Sequence, residues 1–185
     1  MGSDQWGQTR LIVNSNHPNA KAQESIESDP IDQQMRQHPV QPDLIFTWGN
    51  PSRGDDALGP AMYELLQQAD LNAVDLLTDF QLQIEHALDL EGRKRVLFVD
   101  ASTSASAPFE ISRLQPEQDT SYTTHAMSPQ AVLSVYQQIN GCAPPPAWLL
   151  SIRGYEFGLG LPLSTAANKH LLAAFNHVKN FLAAA

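Results

Sequence analysis

Gly49-Asn-Pro-Ser-Arg-Gly-Asp-Asp-Ala-Leu-Gly59 stands between a short run of strand formers, Leu44-Ile-Phe-Thr-Trp48, and a segment with helical periodicity. Leu58, Met62, Leu65, Leu66 and Ala69 recur every three or four residues, whereas the run before Gly49 is too short for a helix. The stretch therefore reads as strand, glycine-rich turn, helix. Glycines at 49, 54 and 59 let the backbone approach its neighbours closely and adopt dihedrals closed to other residues. Asp55 and Asp56 then fall at the helix start. The plain expectation is that Asp55 caps the helix and Asp56 complements its dipole. A phosphate-binding loop is disfavoured, because the Gly-Lys-Ser/Thr ending is missing and two carboxylates at the helix mouth repel an anion. Asp56 becomes a metal ligand only if a histidine and another carboxylate join it from elsewhere.

Downstream, Ala73 to Thr78 reads as a second strand, and Asp79 to Leu90 as a short helix with Leu82, Ala87 and Leu88 inward and with Glu85 and His86 on an exposed face. Arg95-Val-Leu-Phe-Val-Asp100 has four consecutive apolar residues ending in a carboxylate and reads as a buried strand. The alternation of strand and helix gives a parallel sheet with right-handed crossovers, in which ligands gather beyond the carboxyl ends of the strands. Asp56 follows the first strand and Asp100 ends the third, so neighbouring strands would bring the two carboxylates together. An aspartate at a strand end that only caps a loop is the competing expectation for Asp100.

Phe109 to Leu114 alternates apolar with polar, the pattern of a half-exposed, antiparallel edge strand. Ser128 and Pro129 are a good N-cap and first helical residue, ahead of a buried face of Val132, Leu133, Tyr136 and Ile139. His125 then lies in the loop just before this helix. The prolines at 144–146 introduce a last buried strand, Ala147 to Ile152, followed by a glycine-punctuated loop, Arg153 to Leu161, suited to lining a cleft or packing over one. A final helix spans Ser164 to about Ala183, with His170 at the edge of its apolar stripe and His177 exposed.

Composition bounds the function. The 185 residues suit one α/β domain, at 43–185, preceded by a polar stretch, 1–42, with only Leu11-Ile-Val13 to bury; this stretch reads as a flexible tail. A net charge of −9 argues against nucleic acid, and Arg93-Lys-Arg95 reads as a solvated loop. No stretch is long and apolar enough for a membrane span, and the single Cys142 favours a reducing compartment, so a cytoplasmic protein is expected. Cys142 has no activating neighbour in Gly-Cys-Ala-Pro and reads as an idle or structural thiol.

In this order the motifs resemble those of the hydrogenase maturation proteases, nickel-dependent endopeptidases that trim the C-terminus of the nickel–iron hydrogenase large subunit. Gly49 to Pro60 looks like that family's first motif, Phe98-Val-Asp-Ala101 like its second, Thr124-His-Ala-Met-Ser128 like its histidine motif, and Ile152 to Leu163 carries its late glycine pattern. The similarity runs from about Asp43 to Phe181. Ala57 stands where many members have glycine, and Asp56 where members have Glu or Asp.

Carried over by position, the resemblance implies Asp56, Asp100 and His125 as metal ligands and catalytic residues. It also implies a three-layer α/β/α sandwich around a mostly parallel, five-stranded sheet with one antiparallel strand. The implied substrate is the hydrogenase large-subunit precursor, already loaded with nickel, and the implied protein is a monomer. Two carboxylates and one imidazole suit a borderline divalent ion and leave a coordination position open for hydrolysis; no separate general base is evident. Two other readings stand beside this one: a serine hydrolase built from Ser102, His125 and Asp100, which lacks a Gly-x-Ser-x-Gly elbow, and a non-catalytic nickel-sensing chaperone of the precursor.

Overall fold

The computed structural model describes residues 39–69, 71–118 and 127–184. Five strands form one sheet: β1 (Asp43–Trp48), β2 (Val74–Asp79), β3 (Arg95–Ser102), β4 (Phe109–Arg113) and β5 (Ala147–Arg153). Their spatial order is β2-β1-β3-β5-β4, and only β4 runs antiparallel, at the edge beside β5. Three α-helices accompany them: α1 (Leu58–Gln67), α2 (Pro129–Asn140) and α3 (Thr165–Ala183). Two tight 3-10 segments, Gly54–Ala57 and Ile84–Leu90, complete the described elements.

The pleat of the central strands divides the core into two halves. Leu44 and Phe46 of β1, with Val96 and Phe98 of β3, face Val132, Leu133 and Tyr136 of α2 and Leu82, Ala87 and Leu90 around the second 3-10 segment. Ile45, Leu97 and Val99 point the opposite way, onto Leu58, Met62 and Leu66 of α1 and Ala167, Leu171, Ala174 and Val178 of α3. Successive strand residues point to opposite faces, so β1 and β3 are apolar on both sides and must be covered on both. The result is the expected α/β/α sandwich.

Helix ends follow local chemistry. Ser128 accepts a hydrogen bond from the Ala131 N–H at 3.1 Å with Pro129 at the first helical position, and Gly141 closes α2 with a left-handed φ of 65°. Ser164 caps α3 through the Ala167 N–H at 3.1 Å. Among the described residues no helix is long and apolar enough to cross a membrane.

Several side chains differ from the sequence reading. Residues 84–90 wind as a 3-10 helix, which rotates Leu88 outward and buries Leu90 instead. Ile139, in the last turn of α2, is likewise exposed. Arg93 and Arg95 are not solvated: they pair with Asp75 and Asp43 at the amino ends of the strands, where Arg95 also stacks on Phe181. His177 is half-buried beside the Phe109 ring, while His170 sits at the core edge as expected, with Nδ1 2.8 Å from the Arg153 carbonyl. Cys142 is exposed.

Candidate active site

From β1 the chain moves outward to β2 and then returns to β3 on the other side of β1, so the connections diverge between β1 and β3. In open parallel sheets the crevice beyond such a divergence is the usual ligand site. Asp56 and Asp100 both arrive there. The 3-10 turn that follows β1 delivers Asp56, and β3 carries Asp100 at the end of its buried run.

Asp100 is half-buried at the carboxyl end of β3, beside Ser151 of β5. Burial pushes its carboxyl up; the Ala101 N–H at 2.7 Å and the Trp48 indole oppose that, while the negative charge of Asp56 adds to it, leaving the group pushed up to about 7. The Trp48 contact follows from the register. The parallel pairing Thr47↔Val99 sets Trp48 beside Asp100 one residue on, and both project from the face that carries Phe46 and Phe98. The sequence reading treated Trp48 only as a strand residue. Its one distinguishing mark was its place at a strand end, immediately before Gly49.

Asp56 is half-buried and accepts the Asn50 N–H on Oδ2 at 3.2 Å. The three glycines of the turn serve close approach: a Cβ at Gly49, Gly54 or Gly59 would lie 2.1, 2.3 or 1.9 Å from the carbonyl oxygen of Asp56, Glu156 or Trp48 respectively. Each distance is far below contact, so only hydrogen fits.

Asp55 does not cap the helix. The turn has no side-chain cap, and the Asp55 carboxylate instead points inward, fully buried, to accept the N–H groups of Tyr155, Glu156 and Ser164 and the Ser164 hydroxyl at 2.7 to 3.0 Å. Burial alone would raise its pKa, but these donors outweigh it and hold the carboxyl below its ordinary value. The expected packing of the late glycine loop is therefore onto the Gly49–Gly59 turn.

His125 lies outside the described residues. Among the described residues no group of three His, Cys, Asp or Glu side chains gathers around one point. His86 is not on an exposed face; it packs 4.6 Å from the Phe46 ring, receives the Gln83 N–H on Nδ1 at 2.9 Å, and sets Nε2 3.3 Å from Asp79. Both ring nitrogens are thus engaged in holding the loop after β2. Ser102, the nucleophile of the serine-hydrolase reading, accepts the N–H groups of Ser104 and Ala105 and closes the turn after β3.

Asp56 and Asp100 suit a divalent cation. They are oxygen donors whose charges oppose each other, and a cation between them removes both that repulsion and the cost of ionising Asp100.

No protein-family model matches the chain, and no curated protein does. Solved structures do. The hydrogenase maturating endopeptidase HybD from E. coli is similar over 74% of this chain and 88% of its own, with 23% identity and a TM-score of 0.58. The [NiFe] hydrogenase maturation protease HycI from Thermococcus kodakarensis is similar over 82% of this chain and 98% of its own, with 19% identity and a TM-score of 0.58. A hydrogenase 2 maturation peptidase from a Thaumarchaeota archaeon covers 76% of this chain and 97% of its own, at 23% identity and a TM-score of 0.55. The chain has the fold of these maturation proteases, over nearly their full length.

Proposed function

We propose that this chain is an endopeptidase that removes the C-terminal extension of the nickel-loaded hydrogenase large-subunit precursor. The observation that carries the reading is the convergence of Asp56 and Asp100 at the divergence of β1 and β3, on a fold shared with hydrogenase maturation proteases. Nickel enters as part of the substrate, and Asp56, Asp100 and His125 bind it. The bound ion supplies Lewis acidity, polarising the scissile carbonyl and lowering the pKa of a water molecule. Asp100 would release its proton to solvent on binding the ion, with its carboxylate kept in orientation by the Trp48 indole and the Ala101 N–H. Asp56 is held by the Asn50 N–H on one oxygen. Affinity that depends on the ion makes the enzyme a checkpoint, cutting only precursor that is loaded. The reading includes a monomer in the cytoplasm, and the lone cysteine, Cys142, supports the reducing compartment.

Purified protein incubated with nickel-loaded and nickel-free precursor tests this directly. Cleavage of the loaded form alone is expected, and Asp56→Ala, Asp100→Ala and His125→Ala are each expected to stop it while keeping a cooperative unfolding transition. Binding of the loaded precursor without cleavage would favour the nickel-sensing chaperone instead, and full processing by any one variant would remove that residue from the site.

A further inference from the structure

We infer that Asp55, whose side chain turns away from the cleft, is a positioning residue that sets where its neighbour Asp56 presents its carboxylate. The inference rests on Asp56 as a nickel ligand. Two adjacent aspartates have opposite environments: Asp56 is half-buried at the cleft, and Asp55 is 0% exposed. The partners of Asp55 lie 100 to 109 residues later in the chain. Oδ2 takes the Tyr155 N–H at 2.7 Å, the Glu156 N–H at 3.0 Å and the Ser164 hydroxyl at 2.9 Å, and Oδ1 takes the Ser164 N–H at 2.7 Å.

The backbone repeats the same link. The Asp55 N–H donates to the Glu156 carbonyl at 2.6 Å, the Gly54 N–H to Leu161 at 3.0 Å, and the Gly160 N–H to Ser52 at 2.7 Å. Arg53 Nε donates to the Phe157 carbonyl at 3.2 Å. The turn after β1 is thereby fixed to the loop after β5, and that loop to the first turn of α3. Asp56 is one peptide beyond this clamp, inside the same 3-10 turn. A shift of the turn by a fraction of an ångström changes the spacing of the Asp56 and Asp100 oxygens, on which cation affinity depends. Gly154 seals the clamp, since a Cβ there would lie 2.8 Å from the Asp55 Cβ and 2.8 Å from the Phe157 ring.

The test is calorimetric titration of the full chain with Ni2+ alone, for wild type, Asp55→Asn, Gly154→Ala and Arg95→Ala. Asp55→Asn keeps the shape but turns an amide toward a cluster of donors, Gly154→Ala displaces the carboxylate, and Arg95→Ala breaks the ion pair with Asp43 at the opposite end of the sheet. Both clamp variants are expected to weaken Ni2+ binding roughly 10–100-fold, as loss of an orienting partner of a metal ligand does, and to speed hydrogen exchange at Tyr155, Glu156 and Ser164. Arg95→Ala is expected to lower the unfolding midpoint and leave Ni2+ affinity unchanged.

Wild-type Ni2+ affinity in either folded clamp variant overturns the proposal. So does equal weakening by Arg95→Ala, which would mean that global stability is being measured. Failure of both clamp variants to fold overturns it as well, because Asp55 would then serve the fold as a whole. Wild-type protein that binds no Ni2+ at millimolar concentration also ends it. Wild-type protein that binds Ni2+ but cuts no precursor ends the peptidase reading alone and leaves the comparison among the variants standing.

Discussion

Asp100 carries a linkage that follows from its surroundings. Its carboxyl titrates near 7 in the folded chain against an ordinary value of 3.8, so between about pH 4 and pH 7 the folded state binds more protons than the unfolded one. Folding stability then falls as pH rises through that window, by on the order of 4 kcal/mol in total. Asp100→Asn removes the ionisable group while keeping its shape. Its unfolding midpoint in urea is expected to exceed that of wild type at pH 8 and to match it at pH 4, while precursor processing is lost; a variant less stable than wild type at pH 8 would contradict this account. Asp55 has the reverse sign, its pKa being depressed, and its contribution is lost only in acid. The sequence placed the Asp55-Asp56 pair at a helix start and assigned Asp55 to capping, whereas its carboxylate turns inward. That inward turn depends on donors from a loop distant in the chain, which no local pattern encodes.

The elements were largely legible, because burial on two faces leaves a continuous apolar run and an amphipathic helix leaves a spaced one. Arg95 to Asp100 and the Ser128-Pro129 helix start are cases where local chemistry suffices. The segment after β2 is a case where it does not. Its spacing fits an α-helix about as well as a tighter 3-10 turn, and packing of Leu90 against the sheet selects the latter. Glycine positions separate the same way. Gly59 touches the Trp48 carbonyl, and Gly59→Ala would drive α1 off β1 or unwind its first turn. The expected loss is about 2 kcal/mol or more, the upper part of the range for overpacking. Gly141 stands in open space with φ of 65°, so Gly141→Ala meets only the backbone penalty, about 1 kcal/mol. Urea unfolding of the two variants side by side checks the contrast, and equal losses would show that close approach at Gly59 is not what its hydrogen provides.

Across the molecule, charge is sorted by strand direction. The pairs Asp43 with Arg95 and Asp75 with Arg93 neutralise each other at the amino ends of β1, β2 and β3, whereas at the carboxyl ends the negative charge of Asp56 acts on Asp100, and among the described residues neither has an ion pair with lysine or arginine. One end of the sheet is closed by ion pairs, and the other is where the proposed reading seats a cation. Residues 1–40 are polar with only Leu11-Ile-Val13 to bury and cannot offset the entropy of ordering them. Deleting them is accordingly expected to leave the urea midpoint and precursor processing unchanged, and a well-folded truncation that has lost activity would identify the polar stretch as a docking arm. By itself the sequence determined most of the elements, the parallel α/β class and the two aspartates that follow strands, since hydrophobic period and turn chemistry act over a few residues. Only the tertiary structure decided that Trp48 holds Asp100, that Asp55 turns inward and that two arginines close the far end of the sheet. Those contacts join residues tens to a hundred positions apart, and their partners are chosen by strand order and register, which pack the chain against itself without leaving a local trace.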